Sequence, residues 1–412
     1  MLDIPWNAHA SRIQSRLDAL AAITDEKGTI QRTFLSDAAL RANQLVGGWM
    51  REAGMATSED RVGNLLGQSP SSSSESIFLL GSHLDTVRNA GRFDGTLGVL
   101  LAIEAVDISR SANVILPFSL AVVGFSDEEG VRFQNAYIGS KAFCGLLDLK
   151  ELDFRDRDGL TLREVVERLS GSEFLPPGPT FAPGRLAGYL EVHMEQGPVL
   201  ENEGLAVGVV SAIAGQLRCR LTWTGKASHA GTTPAPLRRD ALVGAAEFIC
   251  EVEKALGGFG GLVATVGRLA IQPNVSNVVP AVVTHTLDIR HQSDSVLNEA
   301  RAWLEHRASQ IARERRLGFT WEVLQVTPAK ECDSTLSRRL LRVAETVTGS
   351  KRQLPSGAGH DAATLASLFP VAMLFVRCRE GLSHHPDEFV SLADISVALQ
   401  VTVEFLRSWE LI

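Results

Sequence analysis

Apolar residues in the first half of the chain come in short runs that end on polar side chains. Ser76 to His83 (SIFLLGSH) predicts a buried strand, and Leu97, Leu100, Leu101 and Ala105 after it fall at helical spacing. Ser119 to Phe125 (SLAVVGF) predicts a second buried strand that stops at an acidic cluster, and Leu190 to His193 closes a third run the same way. Alternation of this kind predicts an α/β layer structure. In open α/β sheets the ligand crevice lies outside the carboxyl ends of the strands, where all three runs deliver their polar residues. The serine-rich stretch from Ser69 to Ser76 reads as an exposed loop tip and not as a linker.

The middle of the chain has a different rhythm. Leu217, Cys219, Leu221 and Trp223 alternate with Arg218, Arg220, Thr222 and Thr224, the mark of a half-buried strand. Helical spacing follows from Asp240 to Leu256, then strand-like segments at Leu262 to Ala270 and Val282 to Arg290. A second helix runs through Leu297, Ala300, Leu304, Ala308 and Ile311, and Phe319 to Val326 predicts a last strand. The order β-α-β-β-α-β is that of a ferredoxin-like unit. Residues 213–327 are therefore expected to form an inserted α+β domain, with 1–212 and 328–412 forming one α/β domain around it. In that outer domain Leu336 to Val347, Val371 to Arg377 and Ala393 to Trp409 resume the helix and strand pattern.

Composition narrows the class. The 412 residues are 45% hydrophobic and 21% charged, with 40 basic against 48 acidic side chains and a net charge of -8. That balance disfavours nucleic acid or an anionic membrane surface as partner. The longest apolar run, Val114 to Phe125, is broken by Pro117 and Ser119 and is too short for a membrane span. The N-terminus lacks the basic and apolar regions of a secretory signal. The five cysteines are scattered and without CxxC spacing, as expected of reduced thiols in a cytoplasmic protein. Gly257 to Gly261 has no following Lys-Ser/Thr and is not a phosphate cradle. No GxSxG elbow is present and no cysteine neighbours a histidine, so a covalent nucleophile finds no support.

Four clusters carry candidate chemistry. The first joins His83 and Asp85 to Asp94-Gly95, where one imidazole and two carboxylates can bind a divalent cation and Asp85 can orient the His83 ring. Taken singly, Asp94-Gly95 reads as a turn and His83 as a satisfied strand-end histidine. The second is Ser126-Asp127-Glu128-Glu129, adjacent carboxylates after a buried strand. There, like charges need a cation or a proton, and one acid can ligate metal while its neighbour handles protons. The third is His193-Met194-Glu195-Gln196 and the fourth Ser383-His384-His385-Pro386-Asp387-Glu388. Together, with no cysteine among them, they fit zinc, manganese, cobalt or nickel bound by nitrogen and oxygen.

The runs GSHLDTV and GRFDG, DEEGVRF, EVHMEQGPVLE, SHAGTTP, NVVP, SGAGHDA and SHHPDE, in that order, resemble the hydantoinase/carbamoylase branch of the dinuclear metallo-amidohydrolases, a resemblance that covers the chain from about Gly63 to the C-terminus. These are relatives of aminoacylase and the metallo-carboxypeptidases. The resemblance implies a metallo-exopeptidase-like catalytic domain, with a mixed sheet and helices on both faces, and an inserted ferredoxin-like domain that pairs with its copy in a homodimer. It implies two metals bridged by Asp94, with His83 and His193 completing one site and Glu129 and His384 the other. Glu128 would be the general base and Asp85 the residue orienting His83. Of the consecutive histidines, the family's pattern favours His384, directly after the serine, over His385. Two cations ~3.5–4 Å apart can share a hydroxide and stabilise charge on the attacked carbonyl oxygen.

Substrate contacts come next. As an imidazole donor, His229 can steady an oxyanion, although alone it reads as a loop histidine. Arg290 can grip a carboxylate bidentately, the alternative being a surface salt bridge. Asn277 can both donate to and accept from a ureido group. The resemblance implies that these three bind substrate together with Gln196, His360 and the backbone near Gly359, some of them from the partner subunit. The expected reaction is hydrolysis of the carbamoyl C–N bond of an N-carbamoyl-L-amino acid or similar ureido acid, giving ammonia and carbon dioxide. Allantoate or ureidoglycolate amidohydrolase is the neighbouring expectation, and a dinuclear aminoacylase or peptidase a more distant one. A non-catalytic metal-binding protein on this fold would have lost Glu128 or a ligand, and every expected position is filled.

Overall fold

The structure, a computed structural model, describes residues 4–70, 75–182 and 184–409. The tip of the serine-rich stretch, 71–74, lies outside the described residues. Two compact units divide the chain. One comprises Met1–Ser211, Cys332–Leu354 and His360–Ile412, and the other Ala212–Glu331 and Pro355–Gly359.

The larger unit is built on a mixed sheet. In spatial order its strands are Ala56–Glu59, Leu65–Gln68, Ser119–Phe125, Ile77–His83, Leu186–Met194, Val371–Val376 and Val207–Ile213. The central four run parallel and the outer ones antiparallel. The parallel strands are apolar along most of their length because both faces are covered, with polar residues at the strand ends and at Glu191. On one face lies the almost wholly buried helix Thr96–Ser111, flanked by Trp6–Ala21 and Leu392–Arg407. A Cβ at Gly98 would stand 2.0 Å from the Val192 carbonyl oxygen, so glycine is what lets this helix approach its strand. On the other face the short helix Asp361–Leu365 packs against Leu186–Met194 and Val371–Val376. Its Ala362 amide donates to buried Glu191, one residue from Val192 and therefore on the opposite face of that strand.

Chain order places the site. Ile77–His83 pairs with Ser119–Phe125 on one side and Leu186–Met194 on the other, so the connections diverge from it. Register brings His83 opposite Phe125, and His193 opposite Phe375 on the far side of its own strand. The polar ends of neighbouring parallel strands thus meet at one switch point.

The smaller unit is an antiparallel sheet in the order Leu269–Gln272, Val282–His291, Gly215–Thr224, Gly318–Thr327. Helices Ala241–Gly258 and Asp294–Arg315 cover one face, closing a core around Trp223, Phe248, Leu221 and Leu304. The expected single strand from Leu262 to Ala270 is instead two, Val263–Thr265 and Leu269–Gln272, both paired with Val282–His291. Thr265 faces Asp288 and Leu269 faces His285, so one extra residue is accommodated across Val266-Gly267-Arg268. A bulge of this kind interrupts the ladder while both pieces stay on the same partner.

Elements beyond those predicted from the local pattern include helices Trp6–Ala21, Asp37–Glu52, Ile138–Cys144 and Leu162–Ser170 and strands Ala56–Glu59, Leu65–Gln68 and Val207–Ile213. Among the described residues no helix is long and apolar enough to cross a membrane.

Candidate metal centre

His83 and His193 lie buried at the ends of adjacent parallel strands, their Nε2 atoms 3.5 Å apart. Each Nδ1 faces a backbone carbonyl, His83 that of Asp85 at 3.1 Å and His193 that of Met194 at 2.9 Å. A carbonyl only accepts, so both Nδ1 atoms carry the proton and both Nε2 atoms turn lone pairs toward one point. Asp94 Oδ1 stands at that point, 3.4 Å from His83 Nε2 and 3.1 Å from His193 Nε2, with no hydrogen-bond donor of its own. Three converging acceptors in a buried site call for positive charge. Burial lowers the pKa of His83, but Asp85 and Asp94 outweigh it and carry that pKa well above the ordinary value. Burial likewise opposes ionisation of Asp94, yet His193 and His83 hold its pKa well below the usual carboxylate range.

Asp94 reaches this position from the loop before helix Thr96–Ser111. Gly95 is left-handed (φ +65°), and a Cβ there would stand 2.4 Å from the His83 ring. The second oxygen of Asp94 faces another triad, with His384 Nε2 3.6 Å from Oδ2 and 3.2 Å from Glu129 Oε1. His384 is left-handed (φ +57°), whereas the exposed His385 accepts from the Asp387 amide. Buried Glu128 lies with His83 and Glu129, within reach of a shared ion. Burial raises its pKa well above the ordinary value; His83 opposes this, and Glu129 and Asp361 add to it. The Asp85 carboxylate accepts from the amides of Glu128 (3.0 Å) and Glu129 (3.2 Å), while its nearer contact to His83 is through its carbonyl. It therefore sets the backbone of the acidic pair more directly than it sets the histidine ring.

Gln196 Nε2 donates to Asp94 Oδ2 at 2.9 Å and to Ser383 Oγ at 3.1 Å, so this residue touches the shared carboxylate. His360 packs its buried ring on His193 with centroids 4.6 Å apart, and burial together with His193 lowers its pKa well below the ordinary value. In the smaller unit, strand pairing sets His229 opposite Val278, next to Asn277, whose carbonyl accepts from the Ala230 amide. The amides of Gly231 and Thr232 donate to His229 Nδ1, which places the ring proton on Nε2 as an outward donor. Arg290 stands apart from that pair. Its guanidinium engages Asp288 through Nε and Nη2, and the Gly357 carbonyl, two residues before Gly359, through Nη1.

Residues 79–408 match the model of peptidase family M20/M25/M40. The chain is 37% identical to an N-carbamoyl-L-amino acid amidohydrolase of Geobacillus stearothermophilus, over 95% of this chain and 96% of the relative. It is 38% identical to an allantoate deiminase of Arabidopsis thaliana, over 96% of this chain and 81% of the relative. A hydantoinase/carbamoylase family amidase from Burkholderia multivorans superposes with a TM-score of 0.90 at 33% identity, covering 97% of this chain and 98% of that one. The chain belongs to peptidase family M20/M25/M40, in its hydantoinase/carbamoylase branch.

The donor set fits divalent cations. Two imidazole lone pairs with the unpartnered Oδ1 of Asp94 make one nitrogen and oxygen cluster, and Asp94, Glu129 and His384 make another. Several supporting residues escaped the sequence reading. Glu388 accepts from the amides of Phe93 (2.7 Å) and Asp94 (3.0 Å), fixing the loop that carries the shared ligand. Ser383 Oγ donates to Asp94 Oδ2. Glu191 ties Ser82, beside His83, to the helix after His360. The signal for each was its place in one of the motif runs, Glu388 and Ser383 in SHHPDE and Glu191 at the head of EVHMEQGPVLE.

Proposed function

We propose that the chain is a metal-dependent amidohydrolase that cleaves the carbamoyl C–N bond of an N-carbamoyl-L-amino acid or a similar ureido acid, releasing ammonia and carbon dioxide. The observation carrying this reading is the carboxylate of Asp94, shared between two clusters of nitrogen and oxygen donors, beside the buried Glu128. Two divalent cations (zinc, manganese, cobalt or nickel), held by His83, Asp94 and His193 and by Asp94, Glu129 and His384, would acidify a water and polarise the substrate carbonyl. Glu128 takes the proton of that water and returns it to the leaving nitrogen, a role its raised pKa suits. Asp85 holds the Glu128 backbone in place. His229 donates through Nε2 to the developing oxyanion, and Asn277, with a donor and an acceptor, meets the ureido group. Arg290 binds the substrate carboxylate, and Gln196, His360 and the backbone at Gly359 complete the contacts.

The inserted domain, residues 213–327 in this reading, pairs with its copy in a homodimer that supplies some of these contacts. Support comes from its exposed apolar side chains, among them Val263, Leu269, Leu324 and Val326. Five unpaired cysteines favour a reducing compartment, the cytoplasm. Allantoate is the second reading: relatives named for the two substrates are equally similar to this chain, at 37% and 38% identity. Both need the same carboxylate grip.

Ammonia release tests the reaction. Chelation should abolish it, and manganese, cobalt or zinc should restore it. Glu128→Gln should keep its metal and lose about 10²–10⁴ in kcat. Turnover that survives complete metal removal defeats the mechanism. N-carbamoyl-L- and D-amino acids, allantoate, ureidoglycolate, 3-ureidopropionate and N-acetyl amino acids form the panel that chooses between substrates.

A further inference from the structure

Asp288 and Arg290 sit two residues apart on Val282–His291, so their side chains leave the same face of the sheet. Cross-strand register sets Arg218 opposite Asp288 and Gln216 opposite Arg290. Four donors meet on the one carboxylate. Arg290 Nε reaches Asp288 Oδ1 at 2.9 Å and Arg290 Nη2 reaches Oδ2 at 3.1 Å, while Arg218 Nε (3.1 Å) and Gln216 Nε2 (2.7 Å) take Oδ2 from the other side. Arg290 Nη1 donates to the Gly357 carbonyl at 2.7 Å.

A guanidinium has five N–H groups in a plane. Asp288 occupies the side edge, formed by Nε and one hydrogen of Nη2, and Gly357 takes one hydrogen of Nη1. Each terminal nitrogen keeps a second hydrogen, and the end edge between the two is not the one that Asp288 takes. That pair is spaced for the two oxygens of a carboxylate. Arg290 opens onto a groove of about 700 Å³ that Arg218, Arg268 and Val263 also line. Among the described residues Asp288 is the only acid on its wall, so the groove keeps a net positive charge for an incoming anion.

Resting on the reading that Arg290 grips the substrate carboxylate, we propose that Asp288 is the positioning residue of that grip. It pins the side edge of the guanidinium, with Gln216 and Arg218 pinning Asp288 in turn, so that the end edge is presented to a ureido monocarboxylate. The long arginine side chain then loses little further freedom on binding, which favours affinity over turnover.

The test uses the metal-loaded enzyme and an N-carbamoyl-L-amino acid that it hydrolyses. Asp288→Asn, nearly isosteric but uncharged, should raise KM about tenfold and leave kcat within about twofold, the pattern of lost uniform binding. Asp288→Ala should raise KM further with the same split. Arg290→Leu runs beside them. If it raises KM while both Asp288 variants match the parent, the positioning role is overturned and the grip stands. If Arg290→Leu leaves KM unchanged, the grip fails and the proposal with it. A fall in kcat as large as the rise in KM in both Asp288 variants means a general structural role and also overturns it.

Discussion

The two clusters that share Asp94 are built from the same chemistry and set in different surroundings. His83 and His193 come from strand ends whose positions are fixed by ladder register, and their side chains are 2% and 1% exposed. His384 comes from a turn, in a left-handed conformation, and its side chain is 49% exposed. Oδ1 of Asp94 faces the buried pair without any hydrogen bond, whereas Oδ2 accepts from Gln196 and Ser383 as well as facing His384. A buried cluster of bare acceptors has no water to fall back on, so its free energy depends steeply on a cation. A half-exposed cluster already served by two neutral donors depends on one less. A shared carboxylate and like donor atoms therefore do not make equal sites.

Four substitutions break or sharpen that contrast. Asp94→Ala removes the oxygen on each side and should erase it. Loss of kcat/KM should reach at least about a thousandfold, ~4 kcal/mol, and both cations should be missing in metal analysis. Retention of the parent's rate would leave the centre without its shared ligand. The second compares His193→Ala with His384→Ala. His384→Ala should cost about a hundredfold and regain part of it at raised manganese concentration, because the buried triad persists. His193→Ala should cost more and recover less, and metal titration by calorimetry would read the difference directly. The reverse order would mean that exposure does not rank the two sites. Smallest is His385→Ala. Among the described residues this ring bonds only within its own turn, so activity and melting temperature should stay close to the parent, with kcat/KM within about twofold.

Legibility in the sequence followed the range of the forces involved. Ile77–His83 and Ser119–Phe125 were readable because a strand buried on both faces must be apolar throughout, and the polar residues after it mark its end. Helix Trp6–Ala21 carried Ala10, Ile13, Leu17 and Leu20 on one stripe and went unread although the spacing was there. The bulge at Val266–Arg268 gave no comparable sign, since it is defined by two registers on a partner strand. That His384 and not His385 faces Asp94 and Glu129 depends on contacts with residues far away in the chain, which two consecutive histidines in a sequence do not distinguish. The contacts of Gln196 and Glu388 with the Asp94 loop span 102 and 294 residues of sequence, beyond any local pattern.

By itself, then, the order of residues determined that nitrogen and oxygen donors would gather at the carboxyl ends of parallel strands, because hydrophobic periodicity and strand termination are written locally. Tertiary structure decided which oxygen of Asp94 serves which cluster, that Asp85 braces the acidic pair, and that Asp288 already occupies one edge of Arg290. Those are matters of a few tenths of an ångström between groups far apart in the chain, settled when the sheet takes its register and the loops close over it.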